Sequence, residues 1–214
     1  MTRLFTDACE KAAAVIPPRL TRNGNPGGPT EQQLEDCLFD LLPKQGVPAA
    51  RLGARRLKVA HDWEPLPRGL DFYVWRVEAD GPVDLVAELK FDGIQQRLWD
   101  LLKLLAARKR PGQPEALLVH GGDWRRQKPC SALLPAVVGR TADVCVRDLV
   151  RDSAEQWRRD LRYPGRVTAA PAVVRCTAVM AGVRLAHHPG YELRIARVEP
   201  VGDGVVRFYD GWPV

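Results

Sequence analysis

Apolar residues form two short runs near the centre of the chain, and a turn separates them. The runs lie at 70–75 and 85–90, with Asp80-Gly81-Pro82 between them. Short apolar runs bounded by turn residues are typical of buried strands. Asp-Gly between two such runs is a strong signal for a two-residue hairpin loop. The sequence therefore predicts an antiparallel hairpin.

A two-residue loop at Asp80-Gly81 determines which residues of the hairpin face each other. It places Tyr73 opposite Glu88 and Asp71 opposite Lys90. Because side chains alternate between the two faces of a strand, Asp71, Glu88 and Lys90 are expected on one face. Asp71 would then be diagonal to Glu88, at roughly 7–8 Å. A three-residue loop without a bulge would send Asp71 to the opposite face.

Three stretches carry apolar residues at helical spacing, namely 3–16, 30–42 and 94–108. Pro17-Pro18 ends the first helix. Thr30 and Gln33 form a capping box at the start of the second. The third has an apolar stripe, and we expect it to pack on the apolar face of the hairpin, formed by Leu85, Ala87, Leu89 and Phe91.

The remainder of the chain predicts more strands than helices. Strands are expected at 54–60, 116–120, 173–179, 191–198 and 205–209, and a helix at 152–162. Gly202-Asp203-Gly204 is predicted to join the last two strands as a hairpin. The fold class is therefore α/β, a central mixed sheet flanked by helices with a β-rich C-terminal extension. That extension would enlarge the sheet, contact DNA or form a dimer surface.

Composition is that of an ordinary globular protein, with 45% hydrophobic and 27% charged residues over 214 positions. This length fits one domain with extensions. No apolar run is long enough to span a membrane and no signal peptide is recognisable, so a cytoplasmic location is expected. The net charge of +6 suits a polyanionic partner without demonstrating one.

Several functional classes lack their motifs. The chain has no P-loop, no nucleophile elbow and no dinucleotide-binding fingerprint. His187-His188-Pro189 is predicted to be a loop and His120 a core residue. Five dispersed cysteines, an odd number without a CxxC pair, favour neither a zinc site nor a disulfide framework, and we expect them to be small buried apolar residues.

The candidate chemistry lies on the hairpin. Asp71 is followed seventeen positions later by Glu88-Leu89-Lys90, at the end of an apolar strand. Two carboxylates and an ammonium on one face of a hairpin form either a solvated ion pair or the wall of a cleft. The aromatic residues on the same face, Tyr73 and Trp75, favour the cleft.

This pattern resembles the core motif of the PD-(D/E)xK, or restriction-endonuclease-like, nuclease superfamily. The resemblance covers about residues 30 to 125, since an acidic helix precedes the hairpin, and a helix and a strand follow it. Leu70 stands where the proline that names the motif would be. The resemblance implies a restriction-endonuclease-like core at 30–130, preceded by a helix and a Gly/Pro-rich linker at 1–29. Residues 131–214 would extend the same domain.

The resemblance also implies a site. Asp71 and Glu88, with the backbone carbonyl of Leu89, would bind Mg²⁺ or Mn²⁺, and Lys90 would assist the attacking water. Either Glu31 or Glu35 would complete the site, and the sequence does not separate them. Gln95 or Gln96 would steady the site or contact the nucleic acid. A basic cluster precedes the hairpin and consists of Arg55, Arg56, Lys58 and Arg68. It would supply contacts to phosphate groups, or it is an ordinary solvated loop.

The function implied is metal-dependent hydrolysis of DNA phosphodiester bonds by an endodeoxyribonuclease, acting as a homodimer, with a partner protein or alone. The alternative is a catalytically inactive or partner-dependent module of the same fold that binds nucleic acid or protein. A third interpretation is an unrelated α/β protein with a fortuitous ion pair.

Overall fold

The computed structural model describes residues 1–21, 23–24, 26–46, 49–51, 72–75, 83–91, 97–108, 113–123, 140–152, 169–209 and 212–213. These residues form an α/β structure with a mixed central sheet. Its four described helices are α1 (Thr2–Val15), α2 (Glu31–Lys44), α3 (Arg97–Arg108) and α4 (Val146–Asp152). None of them combines the length and the apolar character needed to cross a lipid bilayer.

Twelve strands are described. They are β1 (Arg19–Leu20), β2 (Pro26–Gly27), β3 (Ala49–Arg51), β4 (Phe72–Trp75), β5 (Val83–Phe91), β6 (Glu115–Gly122), β7 (Ala142–Cys145), β8 (Ala169–Pro171), β9 (Val173–Arg184), β10 (Glu192–Pro200), β11 (Val205–Tyr209) and β12 (Trp212–Pro213). The central sheet has the order β3-β4-β5-β6-β10-β9-β7. Only β5 and β6 pair in parallel in this sheet, as far as it is described.

The predicted hairpin is present as β4 and β5, but its register differs by two residues. Tyr73 is opposite Val86 rather than Glu88. The register changes beyond Val74, where Trp75 is opposite Val83, so Asp84 is an extra residue on β5. The local pattern identified both strands, whereas the register predicted from a two-residue loop at Asp80-Gly81 is wrong. Asp71, the residue predicted opposite Lys90, lies outside the described residues.

The two faces of β5 pack against different helices. Its apolar face, Leu85, Ala87, Leu89 and Phe91, shares one core with buried residues of α1 and α2 such as Phe5. Helix α3 lies over the opposite face, where Lys103 contacts Glu88. The expectation that α3 covers the apolar face is therefore wrong. A stripe such as Leu101, Leu102 and Leu105 shows that a helix packs on a sheet, but not on which face.

The C-terminal strands enlarge the central sheet, because β10 pairs with β6 and β9 pairs with β10. This is one of the three roles considered for the segment. The predicted hairpin between β10 and β11 is wrong, since β11 pairs with β8 and β12 in a separate sheet. Both edges of β10 are already occupied by β6 and β9, which leaves no edge for β11.

Other predicted elements had mixed outcomes. The strand at 116–120 is present within β6. A helix predicted at 152–162 lies almost wholly outside the described residues, and α4 ends where it was expected to begin. The strand predicted at 54–60 also lies outside the described residues. Strand β3 was not predicted.

The cysteines fit their predicted role only in part. Cys9 and Cys176 are buried, whereas Cys37 and Cys145 are partly exposed and Cys130 lies outside the described residues. Burial raises the pKa of the Cys176 thiol to about 12, and nearby Asp143 adds to the shift. Burial also raises the pKa of Cys9 strongly. These two thiols are therefore poor nucleophiles at neutral pH.

The Gly/Pro-rich linker before α2 is anchored by the predicted histidine loop. It contains the two-residue strands β1 and β2, which pair antiparallel. His188 is buried in the turn at 186–190, where Nε2 lies 2.9 Å from the Pro17 carbonyl oxygen and Nδ1 lies 3.2 Å from that of Gly27. The ring thus lies between the two ends of the linker, and its N–H donates to one of these two carbonyl oxygens.

Replacing His188 with alanine should lower the free energy of unfolding by about 1–3 kcal/mol, because a buried ring and its hydrogen bond to a linker carbonyl oxygen are lost. Urea titration followed by circular dichroism measures the change. His187→Ala is the matched control, since His187 is exposed in the same turn. Equal stability of the two variants would contradict the anchoring role.

Candidate functional site

The candidate site lies at the carboxyl end of β5, where residues of both α2 and α3 contact the strand. Glu88 and Lys90 are two residues apart on β5, so their side chains share a face. Lys90 is opposite His120 of β6, and His120 is in turn opposite Arg194 of β10. The register therefore sets an ammonium, an imidazole and a guanidinium in one row across three strands. His120 is buried, as predicted.

Glu88 belongs to a buried ion cluster with two residues of α3. Its Oε1 lies 2.6 Å from Lys103 Nζ, which lies 3.4 Å from Asp100 Oδ1. Side-chain exposure is 2% for Glu88, 5% for Asp100 and 12% for Lys103. We call these three residues the Glu88 cluster. One ammonium bridges two carboxylates, and the bridge joins α3 to β5.

Lys90 contacts the other helix, α2. Glu31 Oε1 lies 3.3 Å from Lys90 Nζ and accepts a hydrogen bond from the Phe91 backbone N–H at 3.4 Å. Of the two glutamates that the sequence could not separate, Glu31 is therefore the one that contacts Lys90. Glu35, one turn later, is 8% exposed.

The start of α2 is held in place by its predicted capping box. The Gln33 backbone N–H donates to Thr30 Oγ1 at 3.2 Å, and Gln33 Oε1 accepts from the Thr30 backbone N–H at 3.0 Å. Glu31 follows as the first helical residue, where the positive end of the helix dipole favours a carboxylate. The cap thus fixes the helix start from which Glu31 contacts the end of β5.

An open cleft of about 440 Å³ lies between the start of α2 and the end of β5. Its lining includes both glutamates, Glu31 and Glu35, and the ring of Phe91. The side chain of Lys90 is 18% exposed and reaches Glu31 at this cleft. A ligand in the cleft would therefore meet two carboxylates, one of which pairs with the Lys90 ammonium.

Phe91 fixes the end of β5 through a close approach to β6. Gly121 is opposite Phe91, and a Cβ added at Gly121 would collide with the phenyl ring. The absence of a side chain at Gly121 is what lets the ring lie over the neighbouring strand. The position of Phe91, and of its backbone N–H on Glu31, depends on this contact.

Gly121→Ala should therefore lower the free energy of unfolding by about 1–3 kcal/mol, because the Phe91 ring must leave its place. Thermal and urea denaturation measure the loss. Gly27→Ala provides the control, since its Cβ would meet the nearest atom at an ordinary 3.4 Å. A Gly121→Ala protein as stable as the parent would show that Phe91 moves without cost.

Several predicted site residues lie outside the described residues, and the structure does not bear on them: Asp71, Gln95, Gln96, Arg55, Arg56, Lys58 and Arg68. Leu89 has its side chain in the apolar core shared with α1 and α2. Within the described ranges, no three His, Cys, Asp or Glu side chains are placed to hold one metal ion.

Comparison of the chain with protein-family models, curated proteins and solved structures gave no match. The geometry of the site therefore carries the functional argument.

Sequence reasoning missed Lys103, the residue that contacts Glu88. Its signal was present, because Asp100 and Lys103 are polar residues three positions apart within the leucine-rich helix. Polar residues at that spacing lie on one side of a helix. A charged pair beside an apolar stripe is a candidate for a partner on the sheet below.

Proposed function

We propose that this protein is a metal-dependent nuclease that hydrolyses phosphodiester bonds of DNA. The observation that carries the proposal is the contact of Glu31 with Lys90, which joins residues 59 positions apart. The PD-(D/E)xK resemblance implies that an acidic helix adjoins the ExK strand, and this contact agrees with it. The order α2, β4, β5, α3 and β6 also agrees with the order of elements in the resemblance.

The residues present fit a divalent cation in their chemistry. Mg²⁺ and Mn²⁺ prefer carboxylate oxygens, and the Glu88 cluster holds two carboxylates. Asp100 Oδ2 is buried and makes no hydrogen bond in the described structure. The proposal requires a third carboxylate from Asp71.

The cation, once bound, would polarise the scissile phosphate and lower the pKa of an attacking water. Lys90 would orient that water or stabilise the charge that develops on the phosphate. Glu31 would hold the Lys90 ammonium in position through the contact already formed. The +6 net charge favours a polyanionic substrate in general.

A second candidate is a binding module in which the Glu88 cluster is purely structural. The observation that favours it is the 2% exposure of Glu88 and its 2.6 Å contact with Lys103. A carboxylate already paired with an ammonium is not open to a cation. In this candidate neither Mg²⁺ nor Mn²⁺ binds, and the cleft beside α2 serves another ligand.

Incubation of supercoiled plasmid with the purified protein in EDTA, Mg²⁺ or Mn²⁺ tests the proposal. A nuclease nicks or linearises the plasmid only with metal, and its melting temperature rises with Mn²⁺. A binding module does neither. Metal binding without cleavage would point to a different substrate, to be sought among branched and single-stranded DNA and RNA.

A further inference from the structure

Asp100 and Lys103 have no role in the site implied by the resemblance, yet Lys103 pairs with Glu88 and Asp100 pairs with Lys103. Both are on α3, and both are at least 88% buried as judged from their side-chain exposures of 5% and 12%. Their position three residues apart matches that of Asp148 and Arg151 on α4, which also form an ion pair. The α4 pair is largely exposed. Because the two pairs have the same spacing, a difference between their variants can be assigned to burial.

Among the described residues, one of the two carboxylate oxygens of Asp100 has no hydrogen-bond partner, which a purely structural ion pair does not explain. Oδ1 lies 3.4 Å from Lys103, while Oδ2 is buried and accepts no hydrogen bond in the described structure. A buried charged oxygen without a partner is energetically unfavourable. The carboxyl group that carries this oxygen shares the Lys103 ammonium with Glu88. A dication would supply the second positive charge that two carboxylates need and one ammonium does not.

We infer that Asp100 is a ligand of the divalent cation together with Glu88, and that Lys103 is a built-in competitor for the same carboxylates. Lys103 neutralises Glu88 and Asp100 when no cation is bound, and it must release them for the cation to bind. This inference rests on the proposed metal site but not on the reaction. It explains how Glu88 can be both buried in an ion pair and a metal ligand.

Two substitutions in the full chain have opposite expected effects on Mn²⁺ affinity. Asp100→Asn removes one anionic ligand and keeps the shape, and it should raise the Kd for Mn²⁺ about 10- to 100-fold, the scale seen when groups around a metal are removed. Lys103→Met removes the competing ammonium and should lower the Kd for Mn²⁺ by at least about tenfold, the lower end of the range seen for changes around a metal. Calorimetric titration of MnCl₂ into metal-free protein measures both without any substrate.

Asp148→Asn is the matched control and should bind Mn²⁺ like the parent, since its pair with Arg151 is exposed. The inference is overturned if Asp100→Asn binds as tightly as the parent, or if Lys103→Met binds no tighter. If Lys103→Met does not fold without metal, the Kd of Asp100→Asn for Mn²⁺ alone tests the inference. A parent that binds no Mn²⁺ overturns both this inference and the nuclease. Asp100-dependent binding without cleavage of any nucleic acid keeps the inference and rejects the nuclease.

Discussion

Supercoiled plasmid should remain intact with the Glu88→Ala/Lys90→Ala variant under conditions in which the parent nicks or linearises it in Mg²⁺ or Mn²⁺. The first substitution removes a proposed metal ligand and the second removes the ammonium that Glu31 orients. Loss of one group that stabilises developing charge costs about 100- to 1000-fold in rate. Each single variant, Glu88→Ala and Lys90→Ala, should therefore already reduce nicking by at least about 100-fold on this scale.

The assay needs a variant that loses a carboxylate elsewhere on the same sheet. Asp143→Asn serves, because Asp143 pairs with Arg175 at 2.7 Å at the edge strand β7, which is four strands from β5 in the sheet. It should cleave like the parent. Circular dichroism must show that each inactive variant is folded. Plasmid cleavage by both single variants at the parent's rate would reject the assignment of the site to β5.

Lys103→Met should lower the free energy of unfolding by about 3–5 kcal/mol in EDTA, the usual cost of leaving a buried ion pair without one partner. The Lys103 ammonium bridges Glu88 and Asp100. Its removal takes away the positive charge that these two buried carboxylates share. Urea titration with circular dichroism measures the loss. Arg151→Met on α4 is the comparison and should change stability by less than about 1 kcal/mol, as exposed pairs do.

A second substitution identifies the cause of this loss. In the Glu88→Gln/Lys103→Met variant one of the two carboxylates is neutral, so much of the stability should return. Saturating Mn²⁺ should also stabilise Lys103→Met more than the parent if a cation takes the place of the ammonium. If Lys103→Met is as stable as the parent in EDTA, the Glu88 cluster does not hold α3 against β5.

Local patterns predicted the elements that carry the site. The capping box at Thr30 and the leucine stripe of α3 were readable because each depends on residues within one or two helical turns. Strands β5 and β6 were readable as apolar runs. The register of β4 on β5 could not be predicted from such patterns, because it depends on the connection between the two strands and on the extra residue Asp84.

The site was predictable only to the level of candidates. Glu31 and Glu35 are one turn apart on α2, and nothing in the sequence states which of them reaches Lys90. The face on which α3 packs decides whether Lys103 meets Glu88, and an apolar stripe carries no information about that choice. Such tertiary contacts join residues far apart in the chain, whereas periodicity and capping report only on near neighbours.

Strand β6 lies between β5, which precedes it, and β10, which is synthesised much later. During translation, the sheet that bears Glu88 and Lys90 therefore has one unpaired interior edge until β10 leaves the ribosome. Pairings of such long sequence separation form slowly, and an open apolar strand edge invites pairing with other chains. Formation of the site is thus tied to completion of the C-terminal strands, even though none of its proposed ligands lies there.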